Sequence, residues 1–214
     1  SPHRINAMNI GTTPMKTFSS FAFKLYLAAL CLSAVKASAQ TTSLSFSRIQ
    51  PETFGGSMSL SNAWGDYDMD GDLDLVVVFK TGDVRLYNNE FGGFINVGPE
   101  LGLPIGGKER RAVAWGDYDG DGYLDLYIGS NRQGNELFHN DRSQGFTEVT
   151  AEFQVGVPEV STRQISWVDY DNNGTLDLFV ANRVGANLLF SNNAGKFVEV
   201  GSELGIDDSR ATVG

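Results

Sequence analysis

The residues best equipped for chemistry are aspartates, and they fall at every second position in three short stretches. Numbered from its first Asp, each stretch places side-chain oxygens at positions 1, 3, 5 and 9 and glycine at position 6. The first has Asp66, Asp68, Asp70 and Asp74 around Gly71, and the second Asp117, Asp119, Asp121 and Asp125 around Gly122. The third has Asp169, Asp171, Asn173 and Asp177 around Gly174. Alternate residues of a tightly curled loop turn their side chains inward, glycine permits the sharp turn, and position 7 (Asp72, Tyr123, Thr175) adds a backbone carbonyl. An oxygen-only donor set without His or Cys suits Ca²⁺ rather than zinc, copper or iron, and Mg²⁺ demands stricter octahedral geometry. Asp-Gly clusters also make ordinary solvated turns. Three copies in register point instead to a bound cation, because four converging carboxylates repel one another without one. The third loop, with one carboxylate fewer, is expected to bind most weakly. An EF-hand is excluded: it needs a bidentate Glu at position 12, where this chain has Val77, Ile128 and Val180.

A catalytic reading finds little else. Beyond the amino-terminal segment there is no Cys, and the single histidine, His139, reads as a surface residue. No nucleophile elbow, phosphate-binding glycine loop or HExxH pattern is present. Every close carboxylate pair that could serve a glycosidase already belongs to a loop. Lys108-Glu-Arg-Arg111 reads as a solvated loop. Asn173-Gly-Thr175 fits a glycosylation acceptor, but its Asn is a candidate ligand. The chain is therefore expected not to be an enzyme.

The elements that position the loops come from an internal repeat. Trp64, Trp115 and Trp167 each precede a loop by two residues and lie 51 and 52 residues apart. Leu86, Leu137 and Leu189 follow their Trp by 22 residues, Asn89, Asn140 and Asn192 by 25, and Phe94, Phe146 and Phe197 by 30 or 31. Each period holds four short strands between Gly, Asn and Asp; in the second they are Arg111–Trp115, Leu124–Ile128, Glu136–His139 and Phe146–Val149. Four strands in about 50 residues make one propeller blade. A β-sandwich does not demand so regular a unit. The loop Trp and Tyr residues are expected to pack rather than to bind a ligand.

The unit Trp-Gly-Asp-Tyr-Asp-x-Asp-Gly-x-Leu-Asp-Leu, with the later Leu-Phe-x-Asn and Phe, resembles the FG-GAP or VCBS-type repeat of integrin α-subunit propellers and many exported bacterial proteins. It is also similar to the cartilage-acidic-protein-like (ASPIC/UnbV) group. The resemblance implies an all-β fold, a seven-bladed β-propeller of four-stranded blades with Ca²⁺ in hairpin loops on one rim. About three blades are present here, and Asn173 replaces one acidic ligand.

The amino terminus reads as a leader. Met15-Lys16 opens a positive region, Leu25–Val35 is an apolar run, and Ala37-Ser38-Ala39 is a small-residue cleavage site. The run is too short for a bilayer, which needs roughly 20 apolar residues. Residues 1–14 read as upstream sequence, 15–39 as a signal peptide, and 40–214 as the repeat region with loops 66–74, 117–125 and 169–177. The only cysteine, Cys31, leaves with the leader, so disulfides cannot stabilise the exported chain and metal ions are the usual substitute. Removing the leader's four basic residues leaves 12 basic against 26 acidic. That balance argues against nucleic acid, which needs a positive footprint. Secretion to the cell exterior or surface is expected, with an extracellular protein or polysaccharide as partner. The alternative is a non-catalytic accessory propeller of a larger secreted enzyme. Since Glu203-Leu-Gly-Ile206 repeats Glu100-Leu-Gly-Leu103, a fourth loop is expected soon after Gly214.

Overall fold

A computed structural model describes residues 45, 47–55 and 58–207. The proposed leader, its cleavage site and the segment upstream of it lie outside the described residues. The chain divides into two units, Ser1–Ser47 and Arg48–Gly214, and every element below belongs to the second.

The fold is all-β: three four-stranded antiparallel sheets in chain order, each a simple meander. The first comprises β1 (Ser59–Gly65), β2 (Asp74–Phe79), β3 (Val84–Glu90) and β4 (Gly93–Asn96). The second comprises β5 (Arg110–Gly116), β6 (Asp125–Ser130), β7 (Glu136–Asn140) and β8 (Phe146–Glu148), followed by a one-turn helix α1 (Thr150–Phe153). The third comprises β9 (Ser161–Val168), β10 (Asp177–Val184), β11 (Leu188–Asn193) and β12 (Lys196–Glu199), followed by α2 (Gly201–Leu204). Trp64 pairs with Leu75, Trp115 with Leu126 and Trp167 with Leu178, so the register repeats as the sequence does.

The strand patterns explain how the sheets pack. Successive side chains of a strand face opposite ways, and a strand apolar on both faces must be covered on both. In β6 every residue is buried. Leu126 and Ile128 face the first sheet, where they join Val76, Val78, Val84 and Leu86. Tyr127 faces the third, where it joins Ile165, Leu178, Val180 and Phe190. Burying each large apolar side chain contributes about 1.5–3 kcal/mol, so these two layers hold the three sheets together.

One expectation fails here. Lys108-Glu-Arg-Arg111 is not a solvated loop: Arg110 opens β5, is buried, and forms a two-pronged pair with Glu136 at 2.8 Å per contact. Its third nitrogen donates to the carbonyls of Gly82 and Gly106. A buried guanidinium needs such partners for nearly all its donors, and here they come from the first sheet, the second sheet and the connection between them.

Candidate metal loops

Each acidic loop is the connection from the first strand of a sheet to the second, closed by a register pair: Gly65 with Asp74, Gly116 with Asp125, Val168 with Asp177. The curl within it comes from the first aspartate, which accepts backbone amides at positions 5 and 6. Asp66 takes Asp70 and Gly71 at 3.1 and 3.0 Å, Asp117 takes Asp121 and Gly122 at 3.1 and 3.0 Å, and Asp169 takes Asn173 and Gly174, both at 3.0 Å. Position 6 has φ of 96°, 94° and 89° in the three loops, the left-handed region where glycine carries no steric penalty. Position 4 is left-handed too, at Met69, Gly120 and Asn172.

This curl gathers the predicted ligands in part. Carboxylate oxygens of Asp66, Asp68 and Asp70 lie within 4.8 Å of one another, as do those of Asp117, Asp119 and Asp121, and of Asp169, Asp171 and Asp177. Asn173 stands beside the third group, its Nδ2 3.2 Å from Asp171 and its Oδ1 accepting the Thr175 amide. Asp72 stands apart from the first, its carboxylate accepting from the Phe91 amide, while Tyr123 donates its amide to Asp121.

The ninth residue has a second task that its spacing did not reveal. Asp74, Asp125 and Asp177 are wholly buried, and each accepts two backbone amides. One amide is that of the loop tyrosine or its equivalent, Tyr67, Tyr118 or Tyr170; the other belongs to Asn89, Asn140 or Asn192 on the third strand. The aspartate thereby ties loop to sheet. Burial outweighs these hydrogen bonds and raises the Asp74 carboxyl to about 6 and the Asp125 carboxyl to about 7. Asp68 is also raised, by burial and then by the neighbouring Asp70 charge.

His139 corrects a second expectation. It is not a lone surface histidine: it is half-buried, with Nδ1 3.2 Å from Asp125 Oδ1 and 3.4 Å from Asp119 Oδ2. Its ring meets Tyr118 edge-on. The equivalent residue in the first sheet, Asn88, donates to Asp68 at 3.0 Å. A polar residue 24 positions after Trp in every repeat was the available signal.

The asparagine after it links the sheets. Asn140 Nδ2 donates to the Tyr67 carbonyl of the preceding unit at 2.9 Å and to Leu124 of its own at 3.1 Å. Asn192 does the same with Tyr118 and Leu176. The family model of the FG-GAP-like repeat matches residues 66–128 and again 117–180, together more than half of the chain. This chain belongs to the FG-GAP-like repeat family. No curated protein matches it significantly. The two matched segments each start at the first aspartate of one loop and end within the second strand of the following sheet. An FG-GAP repeat therefore includes both the loop and the junction with its neighbour. Two of the three loop tyrosines pack there as expected: Tyr67 lies against Phe146, and Tyr118 against Phe153 and Phe197, whereas Tyr170 and, of the tryptophans, Trp64 are exposed.

Proposed function

We propose that this FG-GAP chain is part of a secreted β-propeller, a non-catalytic binding or adhesion module for an extracellular protein or polysaccharide, whose three loops each hold one calcium ion. The observation that carries the reading is the threefold gathering of acidic side chains within 4.8 Å on loops curled by their own backbone amides. The donor set fits calcium: the loops themselves supply hard oxygen in all three, and only the second has a histidine nitrogen beside it, His139 Nδ1 against Asp119 and Asp125. In the first, Asp68 Oδ1 is buried without a hydrogen-bond partner, an orphaned charge whose natural complement is a cation. Asp66, Asp68, Asp70 and Asp74 would hold it there, Asp117, Asp119, Asp121 and Asp125 in the second loop, and Asp169, Asp171, Asn173 and Asp177 in the third. Calcium would supply charge neutralisation, and the chain's own residues would do the rest, keeping the loops in one conformation at the edge of the sheets.

The propeller reading is supported by the way the meanders stack, the second offering one apolar face to the first and the other to the third. No helix among the described residues is long and apolar enough to cross a membrane. The binding reading is supported by family membership, and by side chains around the loops that are engaged in holding the loops themselves. Equilibrium dialysis against calcium tests the metal assignment. The expected result is three ions per chain at millimolar calcium; no binding above that of a chain lacking Asp66, Asp117 and Asp169 would refute it.

A further inference from the structure

At both junctions between sheets a tryptophan sits on a glycine. A Cβ added to Gly65 would lie 2.8 Å from Cδ1 of Trp115 and equally close to Cδ1 of Leu124, a terminal methyl that can rotate aside as the rigid indole cannot, and one added to Gly116 would lie 2.5 Å from Cδ1 of Trp167. Neither distance is possible for a real side chain, so the bare glycine is the seat on which the next unit's tryptophan rests. The third sheet breaks this rule. Val168 holds the same register position, paired with Asp177 as Gly65 is with Asp74, and is 42% exposed.

The rest of the junction equipment is present on that face. Tyr170 corresponds to Tyr67 and Tyr118, which are 4% and 3% exposed beneath the following unit, whereas Tyr170 is 37% exposed. The Tyr67 and Tyr118 carbonyls each accept an asparagine amide from the following unit. Among the described residues none reaches the Tyr170 carbonyl. The surface thus repeats two features of the built interfaces, the tyrosine and a carbonyl open to an asparagine amide, and differs from them at the seat.

We propose that the outer face of the third sheet docks a further four-stranded unit of the same kind, one that offers an asparagine amide to Tyr170 but carries a small residue where Trp115 and Trp167 stand. Val168 is the residue that selects it. The valine methyl groups fill the space a tryptophan ring needs, and both strands are pinned in register by their ladders, so neither side chain can yield without moving a whole sheet. For the same reason, the Trp64 end of a second copy of this chain is excluded as occupant. The inference rests on the stacked-unit reading above and specifies which unit can stack.

The test uses the full chain with a copy of residues 110–157 appended after Gly214 as the probe, in four arms. The copy keeps its tryptophan or carries Trp115→Ala, and the chain keeps Val168 or carries Val168→Gly. Protection of the appended unit from limited proteolysis is the readout. With Val168 the alanine copy is expected to be protected, roughly tenfold or more over the tryptophan copy, and Val168→Gly restores protection to the tryptophan copy. Equal protection of both copies by Val168 overturns the proposal, as does failure of Val168→Gly to rescue the tryptophan copy while the alanine copy docks. If no arm is protected, the stacked-unit reading itself is overturned, and this proposal with it.

Discussion

Replacing Asn140 by alanine isolates the hydrogen bonds that join one FG-GAP unit to the next. The side chain is wholly buried and makes three hydrogen bonds: Nδ2 to the Tyr67 carbonyl at 2.9 Å, Nδ2 to the Leu124 carbonyl at 3.1 Å, and Oδ1 from the Ser143 amide at 2.8 Å. A typical intramolecular hydrogen bond is worth about 0.5–1.5 kcal/mol net, more where a buried partner is left unsatisfied. Asn140→Ala should therefore cost about 3 kcal/mol. At about 2–4 °C per kcal/mol for a chain of this size, the midpoint should fall by about 6–12 °C. Asn89 is the internal control, because it occupies the same position in the first sheet and bonds only within its own unit, at exposed groups: Nδ2 to Leu73 and Oδ1 from Gly92. Asn89→Ala should cost about 1 kcal/mol or less. Thermal melts of both variants in calcium, followed by circular dichroism, decide the matter. Equal losses would show that the contact with Tyr67 contributes nothing, and the argument that this asparagine joins the units would be wrong.

The raised carboxyls make stability depend on pH in a direction that metal should reverse. Asp74 and Asp125 titrate near 6 and 7 in the fold but near 3.9 when unfolded, so the native chain binds more protons in between, and metal-free stability should rise as pH falls from about 7.5 to 5. In calcium the slope should have the opposite sign, since the ion requires the ionised form; parallel slopes in urea melts with and without EDTA would contradict the assignment. Asn173→Asp should tighten the weakest calcium site in a calorimetric titration, because ligand charge tunes affinity, and an unchanged weakest step would refute the charge argument. Asp121→Asn should cost more stability in calcium than in EDTA, where it relieves repulsion within the second loop; equal costs in paired melts would remove the ion from the explanation.

The features legible in the sequence are those that occur three times. The loops, the strands around them and the apolar face alternation recur with a period near 51 residues, and tertiary structure repeats them in the same register. What occurs once is invisible to self-comparison. Arg110 has Ser59 and Thr162 at its equivalent positions, so its buried pair with Glu136 leaves no periodic trace, and its neighbours Lys108, Glu109 and Arg111 suggest a solvated run. His139 stands where the other units have Asn88 and Ser191, a match of polarity rather than of residue type. The ninth aspartate was recognised as a candidate ligand but not as the latch between loop and third strand. Its amide partners are 7 and 15 residues away in the chain, and backbone donors leave no mark on the side-chain pattern.

Calcium as part of the fold is the claim most open to direct test. Extracellular modules bind Ca²⁺ with dissociation constants of roughly 10⁻⁴ to 10⁻³ M, so at millimolar calcium a site near the tight end stabilises the native state by about 1.4 kcal/mol. Three such sites give around 4 kcal/mol, a large share of a typical total of about 5–15 kcal/mol. The measurement is the melting curve of the wild-type chain in 1 mM calcium and in EDTA, with bound calcium counted by elemental analysis. The expected result is a midpoint about 8–16 °C lower in EDTA, with three ions lost per chain; an unchanged midpoint and no bound calcium would leave these loops as ordinary turns.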